Sequence, residues 1–315
     1  MTDPTARAWI PPGPPGQPSR MPFTVLLDEA MRRTRRHFRT IFPAVAIPLA
    51  LLATAVGVLQ ALLFQSLTSQ SGQAGGLSGL GGSPFLSLQT MFVGLVQSIV
   101  LGIGLIALQK AAMDATAGRP VDMKEAWRFA VRGPVLVTLF LEGLAIIAAL
   151  AVCCLPVFYV APLLSLVGVV MAEEQIFGTA ALSRSAALTR YNPDGRFFET
   201  ALFKAFALML VTLVISYAVS FLVVLPFQIP MLISMFRDIT AGKDPAAAMG
   251  SMSKWLWVQI PSQILQTLTT VAVFLYGAFG YALLFLDARS RKEGSDLAAE
   301  IHSVFGSGQP GEPPV

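Results

Sequence analysis

The chain has 315 residues, 54% hydrophobic and only 13% charged, with a formal net charge of +4 and two histidines. A water-soluble chain carries about 25% charged residues, so this composition excludes an ordinary solvated surface. The basic residues gather at the ends of apolar runs, which argues against a nucleic-acid partner and for membrane orientation signals.

Residues 1–22 read as a disordered tail, because Pro11, Pro12, Gly13, Pro14, Pro15, Gly16 and Pro18 favour an extended, solvated chain. No apolar segment follows Met1, so no cleaved secretory leader is expected. Over 23–38 the spacing predicts an amphipathic helix, with Phe23, Leu26, Leu27, Ala30, Met31, Thr34 and Phe38 on one face. Asp28, Glu29, Arg32, Arg33, Arg35, Arg36 and Arg39 fill the other face. Such a helix suits the headgroup layer, with Arg32, Arg33, Arg35, Arg36 and Arg39 as candidate lipid-headgroup contacts.

No Asp, Glu, Lys or Arg occurs between Arg39 and Lys110, between Glu142 and Glu173, between Lys204 and Arg237, or between Lys254 and Asp287. A spanning helix needs about 20 mainly apolar residues, so these windows predict six spans. They fall at roughly 41–65, 86–110, 134–153, 156–172, 198–225 and 255–286. The first two are joined by a Gly/Ser/Gln-rich loop from Ser66 to Pro84. After the turn Gly118-Arg119-Pro120, Asp122 sits as N-cap of a short helix carrying Trp127, with Arg128 and Arg132 as further headgroup candidates. Spans three and four are joined by a tight break at Leu155-Pro156. Residues 177–190 form a third short helix, closed by the turn Asn192-Pro193-Asp194-Gly195. Span five is expected to end near Pro226 and Pro230, and a charged tail occupies 293–315.

The expected fold is therefore all-α: an integral membrane bundle of six transmembrane helices over 23–292, with short amphipathic interfacial helices. Of the 22 lysines and arginines, only Arg237, Lys243 and Lys254 fall on one side of this threading. That asymmetry places both termini in the cytoplasm of an inner membrane. The order short helix, span, span occurs three times, and Glu29-Ala30-Met31-Arg32 with Arg36 matches Glu125-Ala126-Trp127-Arg128 with Arg132. A threefold repeat is one reading of this, and coincidence the other.

Few residues carry chemistry. Glu142 is a carboxylate well inside a span, a candidate intramembrane polar site with Lys204 as its partner. A structural ion pair or a neutral acid is the alternative. Gln97, Gln109, Gln228, Gln263 and Gln266 either line a polar path or bond neighbouring helices. Glu173 and Glu174 with Arg184 and Arg190 suggest a polar cluster at the end of span four. The adjacent Cys153 and Cys154 read as packing residues, since neighbours on a helix do not bridge. No Walker A loop, Gly-x-Ser-x-Gly elbow or His-Glu-x-x-His motif occurs, so no catalytic residue, cofactor or metal is expected.

Three stretches resemble a family. The entry Leu27-Asp28-Glu29-Ala30 with Phe38, the run Ala181-Leu182-Ser183-Arg184-Ser185-Ala186-Ala187-Leu188-Thr189-Arg190, and the exit from Leu286 through Asp287-Ala288-Arg289-Ser290-Arg291-Lys292-Glu293-Gly294 to Leu297 carry it. Over residues 23–298 the chain resembles the membrane domain fused to some glycerophosphodiester phosphodiesterases, and its stand-alone bacterial relatives. The resemblance implies a fold and not an activity, because that family's hydrolase chemistry belongs to a separate soluble domain. Three functions follow as expectations. The first is a non-enzymatic structural, lipid-interacting or partner-organising protein, with membrane lipids and a membrane or cytoplasmic protein as partners. The second is a small-solute or ion transporter or channel using Glu142. The third is an enzyme acting on lipid through carboxylates clustered at one membrane face, as a membrane partner of a lipid-processing phosphodiesterase.

Overall fold

A computed structural model describes residues 21–71, 84–152, 154–191, 197–242 and 256–305. In chain order its helices are α1 (Phe23–Ser71), α2 (Pro84–Thr116), α3 (Met123–Ala130), α4 (Gly133–Val152), α5 (Cys154–Leu164) and α6 (Val167–Glu174). Then come α7 (Thr179–Arg190), a 3-10 turn (Phe197–Glu199), α8 (Ala201–Thr240) and α9 (Leu256–Phe305). No strand occurs among the described residues. Six segments are long and apolar enough to cross a membrane: Phe23–Leu59, Gln97–Thr116, Gly133–Val152, Pro156–Glu174, Ala201–Ser234 and Ile260–Gly294. An all-α fold with six helices of membrane-spanning length and apolarity is thus present among the described residues, with several boundaries moved.

The expected junction between an entry helix at 23–38 and a span at 41 is absent, because α1 runs unbroken from Phe23 to Ser71. Pro226 and Pro230 do not end α8, and Arg237 lies inside that helix. The expected tail after 293 is helical as far as Phe305. One physical reason covers the first two. A proline removes a single N–H, whereas a helix end leaves four donors or four acceptors unpaired. Away from water, continuing the helix is the cheaper course. The expected turn at 192–195, the loop residues Lys243, Asp244 and Lys254, the side chain of Cys153, and residues 1–20 of the tail lie outside the described residues.

Helix α9 is the axis of the bundle. It packs most extensively on α1, then on α8 and α2. Leu275, Phe279, Leu284 and Phe285 are fully buried in it, together with Ala282. Close approach is made possible by glycine. A Cβ on Gly280 would stand 2.7 Å from Leu208 of α8, and one on Gly104 of α2 would stand 2.7 Å from Leu49 of α1. Helices α4 and α8 are peripheral, and their outer faces expose Phe140, Leu144, Ile147, Leu213, Tyr217 and Phe221.

Hydroxyls inside these helices satisfy themselves locally. Thr34, Thr54, Thr138, Thr189 and Thr212 each donate to the carbonyl four residues back, at 2.7–2.9 Å. That removes a dangling donor without water. A carbonyl freed by proline finds a partner in another helix. Pro48 cannot donate to Ala44, and the Ala44 carbonyl accepts instead from Trp127 Nε1 of α3 at 3.2 Å. Asp122 caps α3 as expected, accepting from the amides of Lys124 (2.8 Å) and Glu125 (3.3 Å).

Span four is broken, which the sequence reading does not anticipate. Helix α5 ends at Leu164 and α6 begins at Val167. Pro162 lies one turn before the break, and Ser165 Oγ donates to its carbonyl at 2.8 Å. The Leu163 carbonyl accepts from Ser185 Oγ of α7 at 2.6 Å. Helix α7 is packed against α4, α5, α6, α8 and α9, with Ala181, Ser185, Leu188 and Thr189 buried.

Candidate functional site

The start of α1, the end of α2, the start of α4, the end of α6, the start of α8 and residues 287–293 of α9 meet at one end of the bundle. Ion pairs join most of them. Two sets of charges sit there, one buried and one partly exposed.

The buried set centres on Asp287 of α9. Its carboxylate takes Lys204 Nζ of α8 at 3.1 Å and Arg291 at 2.7 Å. Both Lys204 and Asp287 are fully enclosed, with side chains 4% and 5% exposed. The backbone of Met21 enters the same cluster. Its N–H donates to Asp287 Oδ1 at 3.3 Å, and its carbonyl accepts from Lys204 Nζ at 2.6 Å. Arg291 also donates to the Glu199 carbonyl at 3.2 Å. The expected Glu142–Lys204 pair is therefore not formed: Lys204 lies one turn into α8 and finds the acid of α9. Residues 21–22, read as part of a loose tail, are held at this point.

The second set is a chain of alternating charges. Lys110 pairs with Asp114 at 2.7 Å, and Asp114 with Arg119 at 2.9 Å. Arg119 bonds Glu173, and Arg289 approaches the same carboxylate at 4.0 Å. Arg289 bonds Glu293 at 2.9 Å, Glu293 bonds Arg184 at 3.1 Å, and Arg184 bonds Glu174 at 2.8 Å. Helices α2, α6, α7 and α9 are thereby tied together. The Glu174 hydrogen bond holds the Arg184 guanidinium above its ordinary value against the opposing effect of burial. Burial pulls Arg119 down, but Glu173 and then Asp114 outweigh it and the net shift is upward. Both guanidiniums stay charged at any accessible pH. Of the polar cluster read from sequence, Glu173, Glu174 and Arg184 belong here. Arg190 lies elsewhere, 5.8 Å over the Tyr159 ring.

The candidate headgroup arginines divide. Arg33 turns inward to Glu29 (2.8 Å) and the Thr116 carbonyl (3.1 Å). Arg32 is exposed and pairs with Asp28 at 3.4 Å. Arg132 lies over the Phe129 ring and donates to Gln175 at 3.4 Å. Arg35, Arg36, Arg39 and Arg128 are exposed and have no acidic partner among the described residues. The first three lie on one stripe of α1, two turns before the exposed apolar residues Ile47 and Leu51.

Glu142 stands apart from both sets. It is half-buried on α4, with no hydrogen bond or ion pair among the described residues. The glutamines do not form one path. Gln109 of α2 presses on Gly168 of α6, and its Oε1 is buried with no donor. Gln263 of α9 meets Gly57 of α1, while Gln97, Gln228 and Gln266 are exposed.

Sequence reasoning missed Asp287 and Asp114 as the partners that organise this end. A signal was available, since Lys204 and Asp287 stand at the same edge of their spans, and Lys110 and Asp114 are four apart. Chemically, the arrangement is built to hold helices and attract anions. Among the described residues no three His, Cys, Asp or Glu side chains come together as metal ligands. Set against protein-family models, curated proteins and solved structures, the chain matches none of them.

Proposed function

We propose that this chain is a non-enzymatic, multi-pass inner-membrane protein that binds anionic phospholipid at its cytoplasmic end and organises lipid or protein partners there. One observation carries the reading. Arg35, Arg36, Arg39 and Arg128 are exposed and lack acidic partners, while Ile47 and Leu51 follow on the same helix as exposed apolar surface. Guanidiniums at headgroup depth next to an apolar wall match a lipid phosphate with its acyl chains alongside. In this reading the first turns of α1, together with α3 and α7, are elbows that steer three hairpins, consistent with the helix-span-span repeat. The resemblance to the phosphodiesterase-associated membrane domain fits a role beside lipid metabolism without assigning a reaction. Native mass spectrometry from mild detergent tests it. The wild type is expected to carry anionic phospholipid, and the triple variant Arg35→Gln/Arg36→Gln/Arg39→Gln to lose it. A wild type with no lipid enriched over the bulk membrane, and no protein partner retained, overturns the proposal.

A further inference from the structure

The most informative group outside the charged end is Glu142. Residues 135, 138, 142, 145 and 149 fall at three- and four-residue spacings, so they form a single stripe of α4. Val135 and Thr138 are fully buried and Ala149 nearly so, while Phe140, Leu144 and Ile147 on the other side are exposed. Glu142, itself half-buried, thus lies in the middle of the packed stripe. Among the described residues of the six spans, every other acidic side chain that the structure places has a cationic partner.

Its level in the bundle is informative. The consecutive helices α4 and α5 pack together. Glu142 lies ten residues before the end of α4 at Val152 and Leu164 ten residues after the start of α5 at Cys154, each about 15 Å along a helix of 1.5 Å rise. The unpaired carboxyl therefore stands level with the interruption between α5 and α6. Non-helical backbone at membrane depth persists only where protein covers it or where it lines a polar cavity. Here protein covers it in part. Ser185 and Ser165 answer the carbonyls of Leu163 and Pro162. One turn further on, the Gln109 oxygen against Gly168 has no donor. A stretch of polar atoms thus runs beside the break, and α7, which supplies Ser185, also packs on α4, where the Gly178 N–H before α7 donates to Thr138 Oγ1 of the stripe at 2.7 Å.

An ionised carboxylate without a partner is very costly at this depth, so it must take a cation. Among the described residues no lysine or arginine supplies one, and Lys204, the expected partner, is held by Asp287. A hard metal ion asks for six or more oxygen ligands, and no cluster of acidic side chains among the described residues provides them. We propose that Glu142 is a proton-binding site, at which the carboxylate takes up and releases a proton beside the α5–α6 break. The proposal is independent of the lipid reading, since Glu142 is far along the chain from the arginine stripe.

Labelling of the full-length protein in detergent with a hydrophobic carbodiimide, mapped by mass spectrometry, tests it. That reagent attacks protonated carboxyls in apolar surroundings. The expected result is label on Glu142, declining from acidic to alkaline pH, absent in Glu142→Gln, and unaffected by sodium at fixed pH. Label that sodium blocks would assign a metal cation and overturn the proposal, as would label that does not change with pH. Should the reagent fail to reach the site, infrared difference spectra decide. A carboxylic C=O band that vanishes at alkaline pH and is missing from Glu142→Gln supports proton binding; no such band at any pH overturns it.

Discussion

At the scale of single residues, the buried Asp287 cluster dominates. Asp287 serves two cations and the Met21 amide, whereas Lys204 serves one acid and the Met21 carbonyl. The two are therefore not equivalent. Removing one member of a buried pair costs about 3–5 kcal/mol, because the other is left uncompensated. Asp287→Asn strands both Lys204 and Arg291 and is expected to approach the upper figure. Lys204→Met leaves Arg291 to balance the acid and is expected to cost clearly less. The double variant should be more stable than Asp287→Asn alone. Reversible unfolding in mixed micelles measures all three, and equal losses for the two single variants would show that Arg291 does not share the charge.

At the scale of elements, apolar runs were legible and their internal devices were not. Charge-free windows locate lipid-length helices well, so α4 at Gly133–Val152 falls within a residue of expectation. The Asp122 cap was legible because its donors, the amides of Lys124 and Glu125, lie two and three residues from the acceptor. Proline misled, since Pro226 and Pro230 read as stops and are carried inside α8. The break at 165–166 had only Pro162 as a local sign, and prolines elsewhere are carried inside helices; the hydroxyl that answers Leu163 comes from Ser185, in another helix. The depth of Glu142 within a span was legible, but the partner of Lys204 was not, since pairing depends on which helix faces are brought together.

The Pro48–Trp127 contact converts this lesson into a measurement. Trp127→Phe deletes the indole donor to the Ala44 carbonyl and is expected to cost about 0.5–1.5 kcal/mol. Pro48→Ala restores a backbone N–H able to reach that same carbonyl. In the Pro48→Ala background the tryptophan substitution should then cost close to nothing beyond its packing change. A double-mutant cycle reads the difference, and identical costs in the two backgrounds would mean that the tryptophan does not compensate for the proline.

At the scale of the whole molecule, the ion pairs and the arginines bear on the same question from different directions. Asp287 holds Met21 at the entrance of α1, and Lys204 at the entrance of α8. Lys110 and Asp114 near the end of α2, and Glu173 and Glu174 at the end of α6, belong to the chain of charges that reaches Arg289 and Glu293 of α9. Arg132, just before α4, donates to Gln175, just after α6. Helices that alternately start and finish at one end make an even-numbered up-and-down bundle, and residues 21 and 293 must share that end. Packing alone thus yields the parity that the distribution of lysine and arginine requires for the proposed threading. The exposed Arg35, Arg36, Arg39 and Arg128 take no part in the ion pairs, so that share of the charge asymmetry stands apart from the packing argument. A fluorescent reporter fused after Val315 is expected to be bright. Alkaline phosphatase inserted between residues 72 and 83, or between 243 and 255, should be active, and inserted between 117 and 121 inactive. Reversing the charge of Arg35, Arg36 and Arg39 together should weaken the orientation bias without changing parity, so that molecules inserted the wrong way show both termini, never one, outside. A population with its two ends on opposite sides would refute the even-numbered bundle itself.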